Sequence, residues 1–289
     1  METSELLKKV RQIEIKTRGL SQNIFAGQYH SAFKGRGMAF SEVREYSFGD
    51  DTRDIDWNVT ARYSKPYVKV FEEERELTLM LLIDVSGSKD FGTRGSMKKD
   101  MATEIAATLA FSAMQNNDKI GVIFFSDKIE KFIPPQKGKK HILYIIRELI
   151  DFQPTNTKTD IEQVLQYLTN VLKKRSTAFL LSDYIDGHDY QHALTIANRK
   201  HDVVAIQIYD ERETEMPDVG LMKIHDAELG NEKWIDTSSK QVRKSYRQWW
   251  NDRQTEMLNG FQKSRVDAVS IRTDEDYVTA LLNLFHKRA

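Results

Sequence analysis

The chain has 289 residues, 40% of them hydrophobic, so it is long enough to bury the core of one large domain with a sizeable extension. Lysine plus arginine and aspartate plus glutamate both number 43, and this balance argues against a dominant surface for nucleic acid or anionic membrane. The absence of cysteine excludes disulfides, thiolate zinc sites and cysteine nucleophiles.

The start of the chain shows no targeting signal. Residues 1–16 are charged and lack the apolar core of a signal peptide, and no apolar run reaches the roughly 18–20 residues of a membrane span. Apolar residues at helical spacing predict a first amphipathic helix over Glu5–Ile15. We therefore expect a cytoplasmic protein, with an N-terminal extension over residues 1–75 packed on a main domain over residues 76–289.

The later part of that extension mixes arginines, carboxylates and aromatic rings. Two interpretations stay open: a surface that binds a partner peptide or nucleotide, or an internal ion-pair lattice that pins an irregular segment onto a core. The alternating charge signs and the lack of a phosphate-cradling glycine loop favour the lattice. The candidate partner-binding residues are Arg44, Arg53, Asp54, Asp56, Trp57 and Arg62. A short strand over Tyr67–Glu72 follows.

A near-continuous apolar run over Leu77–Ile83 predicts a strand buried on both faces of a parallel sheet. Directly after it come Asp84, Ser86 and Ser88, a carboxylate and two hydroxyls at alternate positions. The carboxyl end of a central strand is where open α/β sheets bind ligands, and hard oxygens suit Mg²⁺ or Mn²⁺. The alternative is a serine-rich turn that caps the next helix.

Beyond this strand, strand and helix patterns alternate. Helices are predicted over residues 97–114, 141–150, 160–172 and 239–262, and strands over residues 120–125, 178–181, 203–208 and 268–271. Residues 129–133 and 222–235 indicate hairpins, and Thr273 is the predicted cap of a last helix. This alternation predicts an α/β fold with a doubly wound, mostly parallel sheet.

Two further loops of this sheet carry oxygen donors. Thr159 directly precedes a predicted helix, and Asp183 directly follows a predicted strand. In a doubly wound sheet both fall on the same carboxyl edge as Asp84. The sequence therefore predicts a divalent-cation site built from three loops, with the candidate ligands Asp84, Ser86, Ser88, Thr159 and Asp183.

This pattern resembles the metal-ion-dependent adhesion site of von Willebrand factor A-type domains: Asp-x-Ser-x-Ser, then a Thr, then an Asp. Over roughly residues 35–286 the chain is also similar to the bacterial family called domain of unknown function 58. The most distinctive shared segment is Arg53-Asp-Ile-Asp-Trp57, followed by Ile83-Asp-Val-Ser-Gly-Ser88. Lys158 stands where related proteins often have glycine, so Thr155 and Thr157 remain alternatives to Thr159 as the ligand.

The resemblance implies a non-enzymatic protein-interaction module that acts with a MoxR-type AAA+ ATPase in assembling, activating or remodelling client proteins. It implies that Ser86, Ser88 and Thr159 ligate Mg²⁺ or Mn²⁺, while Asp84 and Asp183 hold its bound waters. The ion then keeps one position open for a carboxylate of a partner protein.

Other function classes are weighed against this one. A metal-dependent hydrolase or phosphatase using Asp84 is the main alternative, but a haloacid-dehalogenase-type phosphatase needs a second carboxylate where Ser86 stands. A serine hydrolase lacks its Gly-x-Ser-x-Gly elbow, and no Walker A motif occurs. A zinc site at His188 and His192, spaced for one helix face, lacks a third ligand. Scattered basic runs do not predict nucleic-acid binding.

Overall fold

A computed structural model describes residues 11–13, 39–63, 65–72, 77–87, 97–225 and 232–288 of the chain. The chain divides into two compact units, one of which spans Lys34–Leu77 while the other contains Thr78–Ala289. Of the predicted first helix, residues 11–13 are described and are helical; the rest lies outside the described residues. Ser88 also lies outside them.

The smaller unit contains an antiparallel strand pair and a short helix. Strand β1 (Ala39–Glu45) pairs with β2 (Tyr67–Glu72), and helix α1 (Trp57–Tyr63) lies between them in sequence. A 3₁₀ helix over Thr52–Asp54 precedes α1. The strand predicted over Tyr67–Glu72 is confirmed, whereas β1 and α1 were not predicted.

The larger unit is built on six strands. They are β3 (Thr78–Asp84), β4 (Lys119–Phe125), β5 (Ile129–Gln136), β6 (Thr177–Ser182), β7 (Asp202–Tyr209) and β10 (Asp267–Arg272). Their spatial order is β10-β7-β6-β3-β4-β5, and only β5 runs antiparallel to its neighbour within this sheet. The strands β8 (Leu221–His225) and β9 (Glu232–Asp236) form a separate hairpin. The predicted α/β fold with a mostly parallel sheet is confirmed, as are both predicted hairpins.

Seven helices of this unit lie after β3 within the described residues. They are α2 (Lys98–Gln115), α3 (Lys139–Asp151), α4 (Ile161–Val171), α5 (Gln191–Lys200), α6 (Glu211–Thr214), α7 (Lys240–Lys263) and α8 (Tyr277–Arg288). Helix α5 was not predicted, because its buried apolar side is small. This side consists of Ala193, Leu194 and Ala197. In the part of the chain that the structure describes, no helix is long and apolar enough to cross a membrane.

The core lies on both faces of the sheet. Met80 and Leu82 of β3 pack in one cluster with Leu165 of α4 and Phe261 of α7. Successive strand residues point to opposite faces, so Leu81 of β3 and Phe179, which lies beside it in β6, belong to the other face. There Phe179 of β6 meets Phe285 of α8 edge to face, with ring centroids 6.4 Å apart. Because helices cover both faces, β3 is a continuous apolar run rather than an alternating one.

The predicted cap of the last helix was wrong. Helix α8 begins at Tyr277, and the carboxylate of Asp276 accepts hydrogen bonds from the backbone N–H groups of Val278 and Thr279 at 3.2 and 3.3 Å. Thr273 is buried instead, and its Oγ1 donates to Oδ2 of Asp210 at 2.8 Å. Thr and Asp are both common helix caps, but Thr273 is bonded to Asp210, and Asp276 caps the helix instead.

Candidate metal centre

Asp84 ends β3 at the carboxyl edge of the sheet. The strand before it is fully enclosed, with Leu79–Leu82 at 0% exposure, because β4 and β6 flank it and helices cover both faces. Parallel strands place their carboxyl ends together, so the loops after β3 and β6 meet at this edge. The buried apolar strand therefore positions Asp84 at the carboxyl edge of the sheet.

Hydrogen bonds from the loop after β3 and from the end of β6 fix the Asp84 carboxylate. Its Oδ1 accepts from the backbone N–H of Ser86 at 2.9 Å, and its Oδ2 accepts from Oγ of Ser182 at 2.6 Å. Ser182 in turn accepts from the backbone N–H of Tyr184 at 3.0 Å. Asp84 is therefore oriented by its own loop and by the end of β6, an arrangement typical of residues that must hold one geometry.

The surroundings of Asp84 disfavour its negative charge. Burial raises its pKa, the nearby charge of Asp183 raises it further, and the hydrogen bonds from Ser182 and Ser86 oppose the shift, leaving the pKa at about 6. Two acidic side chains thus lie close together in a largely desolvated place. Such an arrangement favours a positive charge nearby.

Lys98 supplies one positive charge. From the first turn of α2, its Nζ donates to Oδ2 of Asp183 at 2.8 Å and to Oε1 of Glu213 at 2.6 Å. Burial alone would lower the pKa of Lys98, but Asp183 and Glu213 outweigh it and raise the pKa above its usual value. Asp183 also accepts from the backbone N–H of Ile185 at 3.1 Å. Asp183 was predicted from the sequence as a site residue, whereas Lys98 and Glu213 were not.

The loop that carries Thr155, Thr157 and Thr159 contacts this edge of the sheet through its backbone. The N–H of Gly87 donates to the carbonyl of Thr157 at 2.8 Å, and the N–H of Asp160 donates to the carbonyl of Ser126 at 3.0 Å. Thr159 is buried, with 3% exposure. Thr155 is exposed and its Oγ1 donates to both carboxylate oxygens of Glu130, at 2.9 and 2.8 Å. Of the three threonines, Thr159 is the one whose side chain is buried, whereas Thr155 and Thr157 are exposed.

The donor set suits a hard divalent cation. Asp84, Asp183 and the buried Ser86 bring two carboxylates and a hydroxyl to one edge, and hard oxygens are the ligands of Mg²⁺ and Mn²⁺. A small cavity of about 40 Å³ lies there, lined in part by Asp84, Ser182, Asp183 and Lys98. Three carboxylates, counting Glu213, outnumber the one ammonium that pairs with two of them. The residues present therefore fit a cation, and Lys98 limits the negative charge available to it.

A second group of possible ligands lies on neighbouring loops. Asp160, Asp186 and His188 each offer one ligand atom, and these three atoms lie within 4.8 Å of one another. Asp186 is engaged in holding the chain, since its Oδ2 accepts from the N–H of Ile161 at 2.7 Å and its Oδ1 from the N–H of His188 at 2.8 Å. Asp160 caps α4. These contacts explain the grouping as helix capping and loop closure.

His188 and His192 do not share a helix face. Helix α5 begins at Gln191, so His188 lies in the loop before it and only His192 is helical. The helical spacing on which the pairing depended is therefore absent. The hydrogen bond between Nδ1 of His188 and the Asp186 carboxylate, at 2.9 Å, raises the pKa of His188.

The candidate partner-binding residues of the smaller unit make mostly local ion pairs. Arg44 forms two parallel hydrogen bonds with Asp50 at 2.8 and 2.7 Å, and Arg53 pairs with Asp51 at 2.7 Å. Asp56 accepts from the backbone N–H of Asn58 at 2.9 Å and so caps the start of α1. Trp57 and Arg62 are exposed, and Asp54 is partly exposed.

Comparisons with known proteins complete this description. The family described as "Protein of unknown function DUF58" matches residues 42–256. Uncharacterized protein Rv1480 of Mycobacterium tuberculosis is 26% identical over 288 residues, covering 98% of this chain and 90% of that protein. The crystal structure of the hypothetical protein BatB from Bacteroides thetaiotaomicron gives a TM-score of 0.49 at 12% identity, covering 73% of this chain and 98% of that one. The SpRpn10 VWA domain gives 0.39 at 12% identity, covering 73% and 95%.

Proposed function

Because the chain belongs to the DUF58 family, a family whose description assigns no function, we propose from its own geometry that it is a non-enzymatic protein-interaction module dependent on a divalent cation. The observation that carries this proposal is the meeting of Asp84 and Asp183 at the carboxyl edge of the sheet, with the buried hydroxyls of Ser86 and Thr159 on the adjoining loops. The resemblance of the sequence to von Willebrand factor A-type domains supports the same site.

In this proposal each residue has a defined part. Ser86, Ser88 and Thr159 would hold Mg²⁺ or Mn²⁺ through hydroxyl oxygens, and Asp84 and Asp183 would hold its bound waters. The bound cation supplies an electrophilic point for a carboxylate of a partner protein. Ser182 and the backbone of Ser86 keep Asp84 oriented before any partner arrives. No bond is made or broken in the partner.

We propose a MoxR-type AAA+ ATPase as the partner, with assembly, activation or remodelling of client proteins as the outcome. This partner rests on the family resemblance of the sequence. The cytoplasmic location expected from the sequence, and the use of Arg53, Trp57 and Arg62 as an additional partner surface, stay predictions. An exposed tryptophan beside arginines has the composition of an interface hot spot, which supports testing that surface.

The enzymatic alternative uses the same carboxylate. A metal-dependent hydrolase or phosphatase at Asp84 would need a second acid or base beside the reacting atoms. The residue two positions after Asp84 is the buried Ser86, and the neighbouring carboxylate of Asp183 is paired with Lys98. Hydrolysis of p-nitrophenyl phosphate that requires Mg²⁺ and disappears in Asp84→Asn would favour the enzyme.

The test of the proposal has two steps. Calorimetric titration of Mg²⁺ and Mn²⁺ into metal-stripped protein should show one site in the wild type and none in Asp84→Ala. Binding of a purified MoxR-type ATPase from the same organism should then require the cation and fail in Asp84→Ala. Partner binding that persists unchanged in EDTA would contradict the proposal and direct attention to Trp57 and its neighbours.

A further inference from the structure

A buried ion triad adjoins the candidate metal centre. Lys98, Asp183 and Glu213 have side chains that are 5%, 2% and 13% exposed, and the ammonium of Lys98 contacts both carboxylates. The three residues come from α2, from the loop after β6 and from α6. Asp183 is the member shared with the proposed cation site, while the resemblance assigns no part to Lys98 or Glu213.

Glu213 is held independently of Asp183. Its Oε2 accepts from the backbone N–H of Asp210 at 2.8 Å, and the N–H of Glu213 donates to the carbonyl of Asp210 at 3.0 Å. Together with the Asp210 side chain this forms a capping box at the start of α6. Asp210 is itself buried and bonded to Thr273. The position of the Glu213 carboxylate beside the ammonium therefore does not depend on the position of Asp183.

An ammonium between two carboxylates can keep one partner when the other is drawn elsewhere. A buried charge that loses its only partner carries a large cost in stability. Lys98 avoids that cost as long as Glu213 remains in place. Asp183 is then able to turn its oxygen toward a cation without leaving a buried ammonium unpaired.

We propose that Lys98 is a built-in counter-ion that competes with the divalent cation for Asp183, and that Glu213 holds the ammonium when the cation prevails. The inference rests on the metal site of the proposed function. In the absence of metal, Lys98 keeps Asp183 in place and the edge of the sheet folded. The same ammonium makes cation binding weaker than the oxygen donors alone would allow, because like charges repel at short range.

Substitutions of Lys98 and of Glu213 should change the affinity for Mn²⁺ in opposite directions. Lys98→Met removes a positive charge near the cation and frees Asp183, so the affinity for Mn²⁺ should rise on the order of tenfold. Glu213→Gln keeps the shape of the side chain but removes the negative charge that offsets Lys98. The ammonium then pairs with Asp183 alone, and the affinity should fall on the order of tenfold. Structural damage would lower the affinity in both variants.

The experiment is calorimetric titration of Mn²⁺ into the full chain, metal-stripped, for the wild type and both variants. Lys131→Met and Glu148→Gln are matched controls, since Lys131 and Glu148 form a partly buried ion pair at 2.6 Å between β5 and α3. Each control makes the same charge change away from the triad and should leave the affinity for Mn²⁺ within about twofold. Circular dichroism and thermal unfolding without metal verify the fold of every variant.

The order of affinities decides the matter. Lys98→Met above wild type above Glu213→Gln supports the proposal. If Lys98→Met folds but binds Mn²⁺ no more tightly than the wild type, the proposal is overturned and the metal site survives. If Lys98→Met does not fold, the decision passes to Glu213→Gln, and an affinity equal to or above the wild type overturns the proposal. If neither the wild type nor a folded variant binds Mn²⁺, both this inference and the metal dependence of the proposed function fail.

Discussion

Ser182 and Asp84 are joined by a hydrogen bond of 2.6 Å between Oγ and Oδ2, although 98 residues separate them in the sequence. The bond links the carboxyl ends of β3 and β6, two neighbouring parallel strands. Ser182 also accepts from the backbone N–H of Tyr184, whose φ of +59° is unusual for a residue other than glycine. One hydroxyl thus connects the carboxylate of the candidate metal centre to the strained turn that follows Asp183.

Ser182→Ala tests this connection. The variant leaves one oxygen of Asp84 and the N–H of Tyr184 without their partner, so the free energy of unfolding should fall by about 1–3 kcal/mol. The affinity for Mn²⁺ should fall about 10-fold or more, as for other residues that orient a metal-binding carboxylate. Urea unfolding and calorimetry measure the two effects.

Ser112→Ala is the matched control for Ser182→Ala. Ser112 is equally buried, but its Oγ donates to the carbonyl of Thr108 within its own helix. Its loss should cost less than about 1 kcal/mol, because that carbonyl also takes part in the helix, and should not change the affinity for Mn²⁺. Equal effects of the two variants on the affinity would show that Ser182 has no particular role at the site.

Asp84→Asn should stabilise the metal-free protein while abolishing cation binding. The substitution removes a buried negative charge that lies close to Asp183, and at pH 8 the free energy of unfolding should rise by about 1–3 kcal/mol. In the wild type the folded-state pKa of about 6 exceeds the unfolded value of 3.8, so the native state binds the extra proton between these values. The advantage of the variant should therefore shrink as the pH falls from about 6 toward 4.

Denaturant unfolding of metal-stripped wild type and Asp84→Asn between pH 8 and pH 5 measures that difference. A variant that is less stable than the wild type at every pH would mean that the charge of Asp84 is well accommodated without metal. The interpretation of this edge as an excess of negative charge would then be wrong.

Thr159→Ala and Thr155→Ala distinguish the candidate ligands of the threonine loop. Thr159 is buried at the edge, so its loss should lower the affinity for Mn²⁺ about 10-fold or more. Thr155 is bonded to Glu130 instead, and its loss should leave the affinity unchanged. Calorimetric titration of both variants decides; the reverse order would move the ligand to Thr155.

Because His201 is buried, we expect the protein to lose stability on mild acidification. It is fully buried, with Nδ1 at 3.0 Å from Oγ of Ser176, and burial lowers its pKa to about 4, assisted by Lys200 and Arg175. The unfolded chain takes up a proton near pH 6.5, while the native state resists protonation until about pH 4. Stability is therefore present above pH 6.5 and lost as the pH falls toward 4, by up to about 3 kcal/mol.

The measurement compares denaturant unfolding of wild type and His201→Gln from pH 7.5 to pH 4.5. Carboxylates that titrate in this range are common to both proteins, so the difference isolates His201. Parallel stability curves for the two proteins would rule out the buried neutral imidazole as the source of acid sensitivity.

Local pattern predicted most of the larger unit. The apolar run before Asp84 predicted a buried strand, and Leu79–Leu82 are fully enclosed. The full helical spacing from Ile161 to Leu172 predicted a helix, and the structure has it over Ile161–Val171. These signals succeed because a strand covered on both faces, or a helix with one covered face, imposes its own period on the apolar residues.

Prediction failed where the local signal was weak or ambiguous. Helix α5 buries only two alanines and a leucine within its length, too little for a clear period. Thr273 was predicted to cap the last helix, but the fold buries it against Asp210, and Asp276 caps the helix instead. For the smaller unit, alternating charges predicted ion pairs but not the strand β1 or the helix α1.

The sequence by itself determined the parallel sheet and the edge on which Asp84, Ser86, Thr159 and Asp183 stand, because strand ends and their polar residues are local features. Only the tertiary structure decided the partners of these residues. Lys98 meets Asp183 and Glu213 across 85 and 115 residues of sequence, and Ser182 meets Asp84 across 98. Such contacts follow from which strands lie side by side and where helices end, and no periodicity of the sequence encodes them.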